Sequence, residues 1–160
     1  MRVLGVDPGT AVTGYGVVDL GDGRSPARPG RLVECGIITC ARRSPLPRRL
    51  EQLHQGIATL IARHRPTTLA LENAFYQKNV RTTLVLGHAR GVVLLAAQQA
   101  GLAIFEYPPA TIKRTVGGTG GAGKARVALM VARLLHLAQA PRPADAADGV
   151  AVALTHILRS

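Results

Sequence analysis

Directly after Met1 the sequence reads Arg2-Val-Leu-Gly-Val-Asp7-Pro8-Gly9-Thr10. Apolar residues run directly into the carboxylate of Asp7, and the Pro8-Gly9 pair then turns the chain back. This pattern predicts a buried β-strand with an acid at its tip. Two interpretations of Asp7 are open on this stretch alone: it accepts backbone hydrogen bonds in a turn, or it belongs to an active site at the end of the strand.

A second predicted strand, Thr67-Thr-Leu-Ala-Leu-Glu72, repeats this design, because a short apolar run again ends in an acid. If a crossover connection joins the two strands, they are parallel and their carboxyl ends lie on one edge of the sheet. Open α/β sheets place their functional sites at that edge. The sequence therefore predicts that Asp7 and Glu72 lie near each other.

The segment between these two strands has the composition of such a connection. We predict two further strands, at about residues 14–19 and at residues 32–39, which form a meander with the first. An amphipathic helix follows, with Ser44 as its N-cap and Pro45 in its first turn, because apolar residues then recur at helical spacing. This helix is expected to stop near Pro66.

The second half of the chain alternates helical and extended patterns. A long helix is predicted at residues 79–100, a strand at 103–107, and then a short helix that carries Lys113 and Arg114. The long helix contains Gly87, Ala89 and Gly91, small residues that would let another helix approach closely. Packing within one copy and contact with a second copy are both open, and the pattern favours the second.

The stretch Val116-Gly-Gly-Thr-Gly-Gly-Ala-Gly-Lys124 fits the spacing of a phosphate-binding loop. Ala125 stands where a Ser or Thr would contact Mg²⁺, and no apolar strand precedes the run, so an NTPase is disfavoured. We expect instead a Gly-rich loop that opens a helix at Lys124. Such a loop would place backbone amides and a cation near DNA phosphates.

Two further acids occur where the last predicted helix begins. Asp145 and Asp148 are three residues apart, so they share one helix face, and the residues after them are small or apolar. Asp145 can also be explained as a cap or first-turn residue. Together with Asp7 and Glu72 they make four acids beside predicted core. Clustered carboxylates repel one another, and a hard divalent cation with oxygen ligands relieves that repulsion.

The overall charge indicates the partner. The chain has 20 Lys and Arg residues against nine Asp and Glu, a net charge of +11, and the bases are spread along its length. A polyanion is the first partner to consider. A cluster of metal-binding acids surrounded by a basic surface is the charge distribution of a metal-dependent nuclease. In such enzymes two cations about 3.5–4 Å apart assist phosphodiester hydrolysis.

Length and composition set the remaining expectations. At 160 residues with 47% hydrophobic residues, the chain is expected to form one domain, residues 1–160. It has no uncharged run of 18 apolar residues and no leader pattern, so a cytoplasmic protein is expected. Cys35 and Cys40 would lie on opposite faces of a strand, as reduced thiols rather than a disulfide or a metal pair.

At this point the chain resembles a known family. The blocks that carry the resemblance are Asp7-Pro-Gly-Thr with Thr13-Gly-Tyr-Gly, Glu72-Asn-Ala-Phe75-Tyr-Gln-Lys78-Asn79, Leu86-Gly-His-Ala-Arg90-Gly91, and Asp145-Ala-Ala-Asp148-Gly-Val-Ala-Val-Ala-Leu-Thr-His156. In order and spacing these are similar to RuvC, the bacterial Holliday junction resolvases. The resemblance implies an α/β fold of the RNase H-like type, with a five-stranded mixed sheet flanked by helices on both sides.

The resemblance also implies an activity and its partners. A homodimer formed through the long helix would nick two like strands of a four-way DNA junction symmetrically, leaving ligatable 5′-phosphate and 3′-hydroxyl ends. Two Mg²⁺ or Mn²⁺ ions per site would be required. The RuvA–RuvB branch-migration complex would be a further partner.

The family's functional residues are carried over position by position. The resemblance places the metal-binding acids at Asp7, Glu72, Asp145 and Asp148, the functional lysines at Lys113 and Lys124, and at Phe75 the aromatic residue that acts on bases at the crossover. Further DNA contacts are expected from Tyr76, Lys78, Arg114 and Arg126. The alternatives are a general RNase H-type nuclease and a junction-binding protein without catalysis.

Overall fold

The computed structural model describes residues 1–20, 29–74 and 78–160. Within these ranges the elements follow the predicted order. They are β1 (Arg2–Asp7), β2 (Val12–Leu20), β3 (Gly30–Thr39), α1 (Leu46–His64), β4 (Thr68–Glu72), α2 (Val80–Gln99), β5 (Ala103–Tyr107), α3 (Pro109–Gly117), α4 (Lys124–Leu134) and α5 (Ala144–Arg159).

The strands form one mixed sheet in the order β3-β2-β1-β4-β5. The β1–β2 and β2–β3 pairs are antiparallel, whereas β4 is parallel to both β1 and β5. In the β1–β4 register Val6 pairs with Leu71, so the next position along each strand is Asp7 and Glu72. The predicted five-stranded mixed sheet is therefore confirmed, and so is the parallel pair whose strands both end in acids.

Helices cover both faces of the sheet, as predicted. Val3 and Ala70 belong to a buried cluster that they share with α3, α4 and α5, while Leu4, Val6, Leu69 and Leu71 belong to a second cluster shared with α1 and α2. Side chains alternate between the two faces along a strand. By that alternation, Asp7 and Glu72 point to the same face as Val3 and Ala70, which is the face that α5 covers.

The backbone of α5 lies directly against the backbone of β2. A Cβ atom at Gly14 would lie 1.8 Å from the carbonyl oxygen of Asp145, and one at Gly149 would lie 2.4 Å from the Cα of Tyr15. Neither position can carry a side chain without moving the helix, since real Cβ atoms do not approach other atoms this closely. Two glycines thus fix the height of α5 above the sheet.

The start of α1 differs from the prediction. The helix begins at Leu46, its N-cap is Pro45 in an extended conformation with ψ 147°, and the proline in its first turn is Pro47. Ser44 instead closes a turn, in which its N–H donates to the carbonyl of Ala41 at 3.0 Å. The backbone of Ser44 is therefore committed to the preceding turn. The predicted cap at Ser44 was wrong.

The exposed side of α2 also differs in detail from the predicted stripe of small residues. Gly87 and Gly91 are exposed, but Ala89 is buried against the sheet and belongs to the other side of the helix. Its place on the exposed face is taken by Val80, Leu84 and Leu95, which are 75%, 60% and 52% exposed. Leucine, valine and glycine together form a continuous apolar strip, which we call the α2 face: Val80, Leu84, Gly87, Gly91 and Leu95.

Within the described residues, α2 is also the one helix that is long and apolar enough to span a membrane on length and composition alone. Only 22% of that segment is buried inside the chain. A strip of exposed apolar residues with spacings of three and four is equally the pattern of a helix that pairs with another helix.

The two cysteines are free and lie in the predicted arrangement. Cys35 packs against the cluster on the α5 face of the sheet, and Cys40 packs against the cluster on the α1 face. Burial raises the pKa of both thiols. They behave as small core-facing residues, as expected for reduced cysteines.

Candidate active site

Three of the four predicted acids line one cavity at the carboxyl edge of the sheet. Asp7 comes from the end of β1, Glu72 from the end of β4 and Asp148 from the second turn of α5. Lys113 from α3 and Lys124 from the start of α4 line the same cavity, whose volume is about 290 Å³. The remaining walls are largely apolar and lower the local dielectric; they include Pro8, Leu86, Ile112, Val127 and Ala151.

The carboxyl group of Asp7 is the most perturbed of these acids. Burial, followed by a hydrogen bond to Glu72 and the charges of Glu72 and Asp148, raises the pKa of Asp7 to about 9, and only Lys124 opposes this rise. Two carboxyl groups can share a hydrogen bond only if one of them holds a proton. The raised pKa places this proton on Asp7.

Asp148 is held by a lysine. The Nζ of Lys124 donates to Oδ2 of Asp148 at 3.3 Å, although the lysine side chain is 77% exposed. Burial raises the pKa of Asp148, Lys124 lowers it, and the charges of Glu72 and Asp145 raise it further. The charge of Asp148 in turn raises the pKa of Lys124. The exposed ammonium group is thereby drawn to the mouth of the cavity.

Asp145 lies at the rim rather than in the cavity wall. It occupies the first turn of α5, as predicted, and its backbone rests on Gly14. Its side chain is partly exposed and is absent from the cavity lining, but its charge acts on both Asp148 and Lys124. The spacing of three residues therefore brings the two acids of α5 near each other, while only Asp148 faces Asp7 and Glu72.

The other predicted basic residues are exposed and are absent from the cavity lining. Lys78 is exposed just before α2, Arg114 is exposed on α3, and Arg126 is exposed on α4, where its Nε donates to the carbonyl of Gly117. The Gly-rich loop ends at Gly123, which is the N-cap of α4, so the predicted helix start at Lys124 is confirmed. Phe75 and Tyr76 lie outside the described residues, and their predicted contacts with DNA bases stay predictions.

A further group of arginines lies at the same edge of the sheet. Arg2, at the start of β1, donates to the carbonyl of His64, at the end of α1, at 2.9 Å. The other end of α1, where the helix begins, therefore lies beside the end of β1. Arg49 confirms this placement because its guanidinium donates to the carbonyl of Thr10. The other members are exposed and stand on the turn before α1 and in its first turn; we call them the α1 arginines: Arg42, Arg43 and Arg48.

The donor set suits a hard divalent cation. Asp7, Glu72 and Asp148 supply only carboxylate oxygens, which are the ligands that Mg²⁺ and Mn²⁺ prefer. The raised pKa of Asp7 and the ion pair between Lys124 and Asp148 both reflect crowded negative charge, which a cation would relieve. Within residues 1–20, 29–74 and 78–160, no three His, Cys, Asp or Glu side chains stand close enough to coordinate one ion as they are. Binding therefore requires these carboxylates to turn towards a common ion.

Comparison with known proteins identifies what this arrangement resembles. The family model for the crossover junction endodeoxyribonuclease RuvC matches residues 3–156. The RuvC of Pelotomaculum thermopropionicum is 47% identical over 156 residues, which cover 98% of this chain and 92% of the relative. The RuvC of Halorhodospira halophila is 49% identical over 155 residues, covering 97% and 89%.

Solved structures show the same likeness. Thermus thermophilus RuvC superimposes with a TM-score of 0.89 at 35% identity, covering 99% of this chain and 94% of that one. The same protein in complex with a Holliday junction substrate gives a TM-score of 0.91 at 34% identity, with the same coverage. The yeast mitochondrial Holliday junction resolvase, at 12% identity and a TM-score of 0.71, shares the fold. The predicted RNase H-like fold is confirmed.

Proposed function

Because the chain belongs to the RuvC family of crossover junction endodeoxyribonucleases, we propose that it resolves four-way DNA junctions. It would nick two like strands symmetrically and leave ligatable 5′-phosphate and 3′-hydroxyl ends. The observation that carries this proposal is the convergence of Asp7, Glu72 and Asp148 with two lysines in one cavity at the edge of the sheet. The Thermus relative that was solved with a Holliday junction supports the choice of substrate.

Nucleases of this family depend on metal ions, and we propose that Asp7, Glu72, Asp148 and Asp145 hold two Mg²⁺ or Mn²⁺ ions. Such ions supply the Lewis acidity that hydrolysis of a phosphodiester requires. Asp7, whose pKa is raised to about 9, would lose its proton on becoming a ligand. Asp145 would act from the rim, where its charge already reaches Asp148 and Lys124.

The lysines of the cavity would act on the phosphate. Lys124 stands at the mouth of the cavity and Lys113 in its wall, so both can neutralise the negative charge that grows on the phosphate oxygens during hydrolysis. Lys78, Arg114 and Arg126 would bind backbone phosphates around the opening. For Phe75 we propose insertion between unstacked bases at the crossover, with Tyr76 beside it.

We propose that the protein works as a homodimer through the α2 face. Two symmetric nicks need two active sites, and α2 exposes a continuous strip of leucine, valine and glycine at spacings that suit helix pairing. A second copy would cover this strip. In keeping with action on DNA, we propose that residues 1–160 form one catalytic domain in the cytoplasm, with RuvA–RuvB as its partner complex.

The test is strand cleavage of a synthetic four-way junction and a matched linear duplex in the presence of Mg²⁺ or Mn²⁺. The wild type is expected to make paired, ligatable nicks only in the junction, and Asp7→Asn to bind the junction without cutting it. Equal cleavage of the duplex would instead indicate a general RNase H-type nuclease. Binding without cleavage by the wild type would indicate a junction-binding protein.

A further inference from the structure

A partly buried hydrogen bond joins the last strand to the last helix. The hydroxyl of Tyr107, at the end of β5, and the Nδ1 of His156, on α5, are 2.8 Å apart. His156 is 5% exposed, and its ring also packs against Phe105 with the ring centroids 4.5 Å apart. The imidazole of His156 is almost completely shielded from water, so its bond to Tyr107 restrains where the ring can lie.

Tyr107, the strand residue of this bond, is also paired with Glu72 on the neighbouring strand. In the β4–β5 register Glu72 pairs with Tyr107, and the N–H of Asn73 donates to the carbonyl of Tyr107 at 2.9 Å. The position of Tyr107 thus determines where the end of β4, with its carboxylate, is held. Paired residues on neighbouring parallel strands also point to the same face, so Glu72 and Tyr107 both face α5.

His156, the helix residue of this bond, is on the same helix as Asp148. It follows Asp148 by eight residues, which is slightly more than two turns. Because a helix of this length moves as a rigid rod, a shift of His156 towards or away from β5 tilts α5 and moves Asp148. The glycine contacts described above hold α5 on the β2 side, and the bond between Tyr107 and His156 holds it on the β5 side.

We propose that Tyr107 and His156 are positioning residues that set the separation of Glu72 and Asp148 and thereby the affinity of the site for its cations. This inference rests on the proposed function, because it assumes that these carboxylates bind metal. Groups that orient metal ligands from behind commonly change metal affinity or activity by 10–100-fold when they are removed. Neither Tyr107 nor His156 lines the cavity, so both act through the elements they join.

The chain offers a closely matched control. The hydroxyl of Tyr15 on β2 also makes a partly buried hydrogen bond, because it donates to Oε1 of Glu34 on β3 at 2.8 Å. Glu34 also contacts His64 of α1. Tyr15→Phe therefore removes the same hydroxyl from a comparable bond on the opposite face of the sheet. A loss of general stability would affect both variants alike, whereas a positioning role belongs to Tyr107 alone.

The experiment measures Mn²⁺ binding directly, by the electron paramagnetic resonance signal of free Mn²⁺, together with unfolding in urea. Tyr107→Phe and His156→Leu are expected to raise the dissociation constant for Mn²⁺ by about 10–100-fold, while Tyr15→Phe stays within about twofold of the wild type. His156→Asn keeps a hydrogen-bonding atom at the position of Nδ1 and is expected to recover most of the affinity. If His156→Leu fails to fold, Tyr107→Phe decides.

The outcomes separate this inference from the proposed function. If the wild type binds Mn²⁺ and cuts junctions but Tyr107→Phe binds Mn²⁺ as tightly as Tyr15→Phe does, the pair is structural and the inference is overturned. If the wild type binds no Mn²⁺, the proposed metal site fails, and the positioning role fails with it. Cleavage that is slow in Tyr107→Phe at low Mn²⁺ and normal at saturating Mn²⁺ would support the inference.

Discussion

Asp7 and Glu72 end neighbouring parallel strands, one step beyond the paired residues Val6 and Leu71, and their carboxyl groups share a hydrogen bond. Each strand is buried up to that point, so the two acids are held together by the sheet itself rather than by a loop. A sheet edge that forces two acids together stores electrostatic repulsion. That repulsion lowers the stability of the folded chain, and a bound cation would relieve it.

The first prediction concerns stability in the absence of metal. The folded-state pKa of Asp7 is raised to about 9, far above the value of about 4 in the unfolded chain. A group with a raised pKa stabilises the fold while it is protonated, so its contribution is lost as the pH rises through that interval, by at most about 1.4 kcal/mol per pH unit. Asp7→Asn should therefore become more stable relative to the wild type between pH 5 and pH 8, when unfolding is followed in urea with EDTA.

Asp19→Asn is the control for this measurement. A hydrogen bond from Arg2 lowers the pKa of Asp19, so Asp19 is ionised in both the folded and the unfolded chain over the same pH range. Ionised Asp19 stabilises the fold at every pH above its pKa in the unfolded chain, and this stabilisation is lost only in acid. The Asp19→Asn curve should therefore run parallel to that of the wild type, and a parallel Asp7→Asn curve would contradict the buried, protonated state of Asp7.

The second prediction concerns Lys124. Its exposed ammonium group lines the cavity together with Lys113 and, among the described residues, is bonded to Asp148. Lys124→Ala should therefore slow junction cleavage at saturating DNA by about 10–100-fold, as removal of a group next to metal ligands does, while the dissociation constant for the junction changes only a few-fold. Single-turnover cleavage and gel-shift binding measure the two separately.

Lys78→Ala serves as the comparison for Lys124. Lys78 is exposed at the start of α2 and is absent from the cavity lining. Its loss should weaken binding without changing cleavage of the bound junction. An effect of Lys124→Ala on affinity alone would reduce Lys124 to a phosphate contact of the same kind.

The third prediction concerns the α1 arginines. They lie at the same edge of the sheet as the carboxylates and no acid occupies the first turn of α1, so we expect them to bind the phosphates of a junction arm. The slope of log K against log salt changes by about 0.9 for each phosphate contact. The triple variant R42Q/R43Q/R48Q should therefore bind the junction more weakly and with a shallower salt dependence, by up to about 2.7 in slope.

A triple variant of equal charge tests the specificity of this effect. Arg31 pairs with Asp19 and Arg65 caps the end of α1, so both lie at the end of the sheet where β1 begins, and Arg133 lies in the last turn of α4, nine residues beyond Lys124. R31Q/R65Q/R133Q should leave both the affinity and the salt slope close to those of the wild type. Equal losses in the two triple variants would mean that net charge, and not the α1 arginines, determines binding.

The fourth prediction concerns the α2 face. Leu84 is 60% exposed in the middle of the strip, so Leu84→Glu would place a charge in the proposed dimer contact. Sedimentation equilibrium should show a dimer for the wild type and a monomer for this variant. Leu129→Glu, on the 48% exposed Leu129 of α4, should remain a dimer; a wild-type monomer, or dissociation of both variants, would remove the α2 face from the assembly.

Much of the fold was predictable because it follows from local periodicity and chain geometry. Apolar runs that stop at Asp7 and Glu72 predicted two strand ends, and a crossover connection, which makes the two strands parallel, placed both ends at one edge of the sheet. The shared face of Asp145 and Asp148 followed from the helical repeat. These features depend on residues close together in the chain, and on one connection between them.

The remaining features depend on contacts between distant segments, which no local pattern encodes. Periodicity could not show that Asp148 enters the cavity while Asp145 stays at its rim, because that depends on how α5 is rotated on β2. The same is true of Ala89, which faces the sheet although it lies between two exposed glycines. The bond between Tyr107 and His156 joins residues 49 positions apart, and only the packed structure reveals it.

The direct contact of α5 with β2 has a consequence for how accurately the site is built. A helix that rests on side chains can settle at several heights, because those side chains change rotamer as their neighbours change. At Gly14 and Gly149 no side chain lies between the two backbones, so the height of α5 is set by atoms that have no alternative conformations. Gly149 directly follows Asp148, so this contact sets how close α5 comes to β2 beside that carboxylate, while the tilt of the helix about the contact depends on its other end, where His156 bonds to Tyr107.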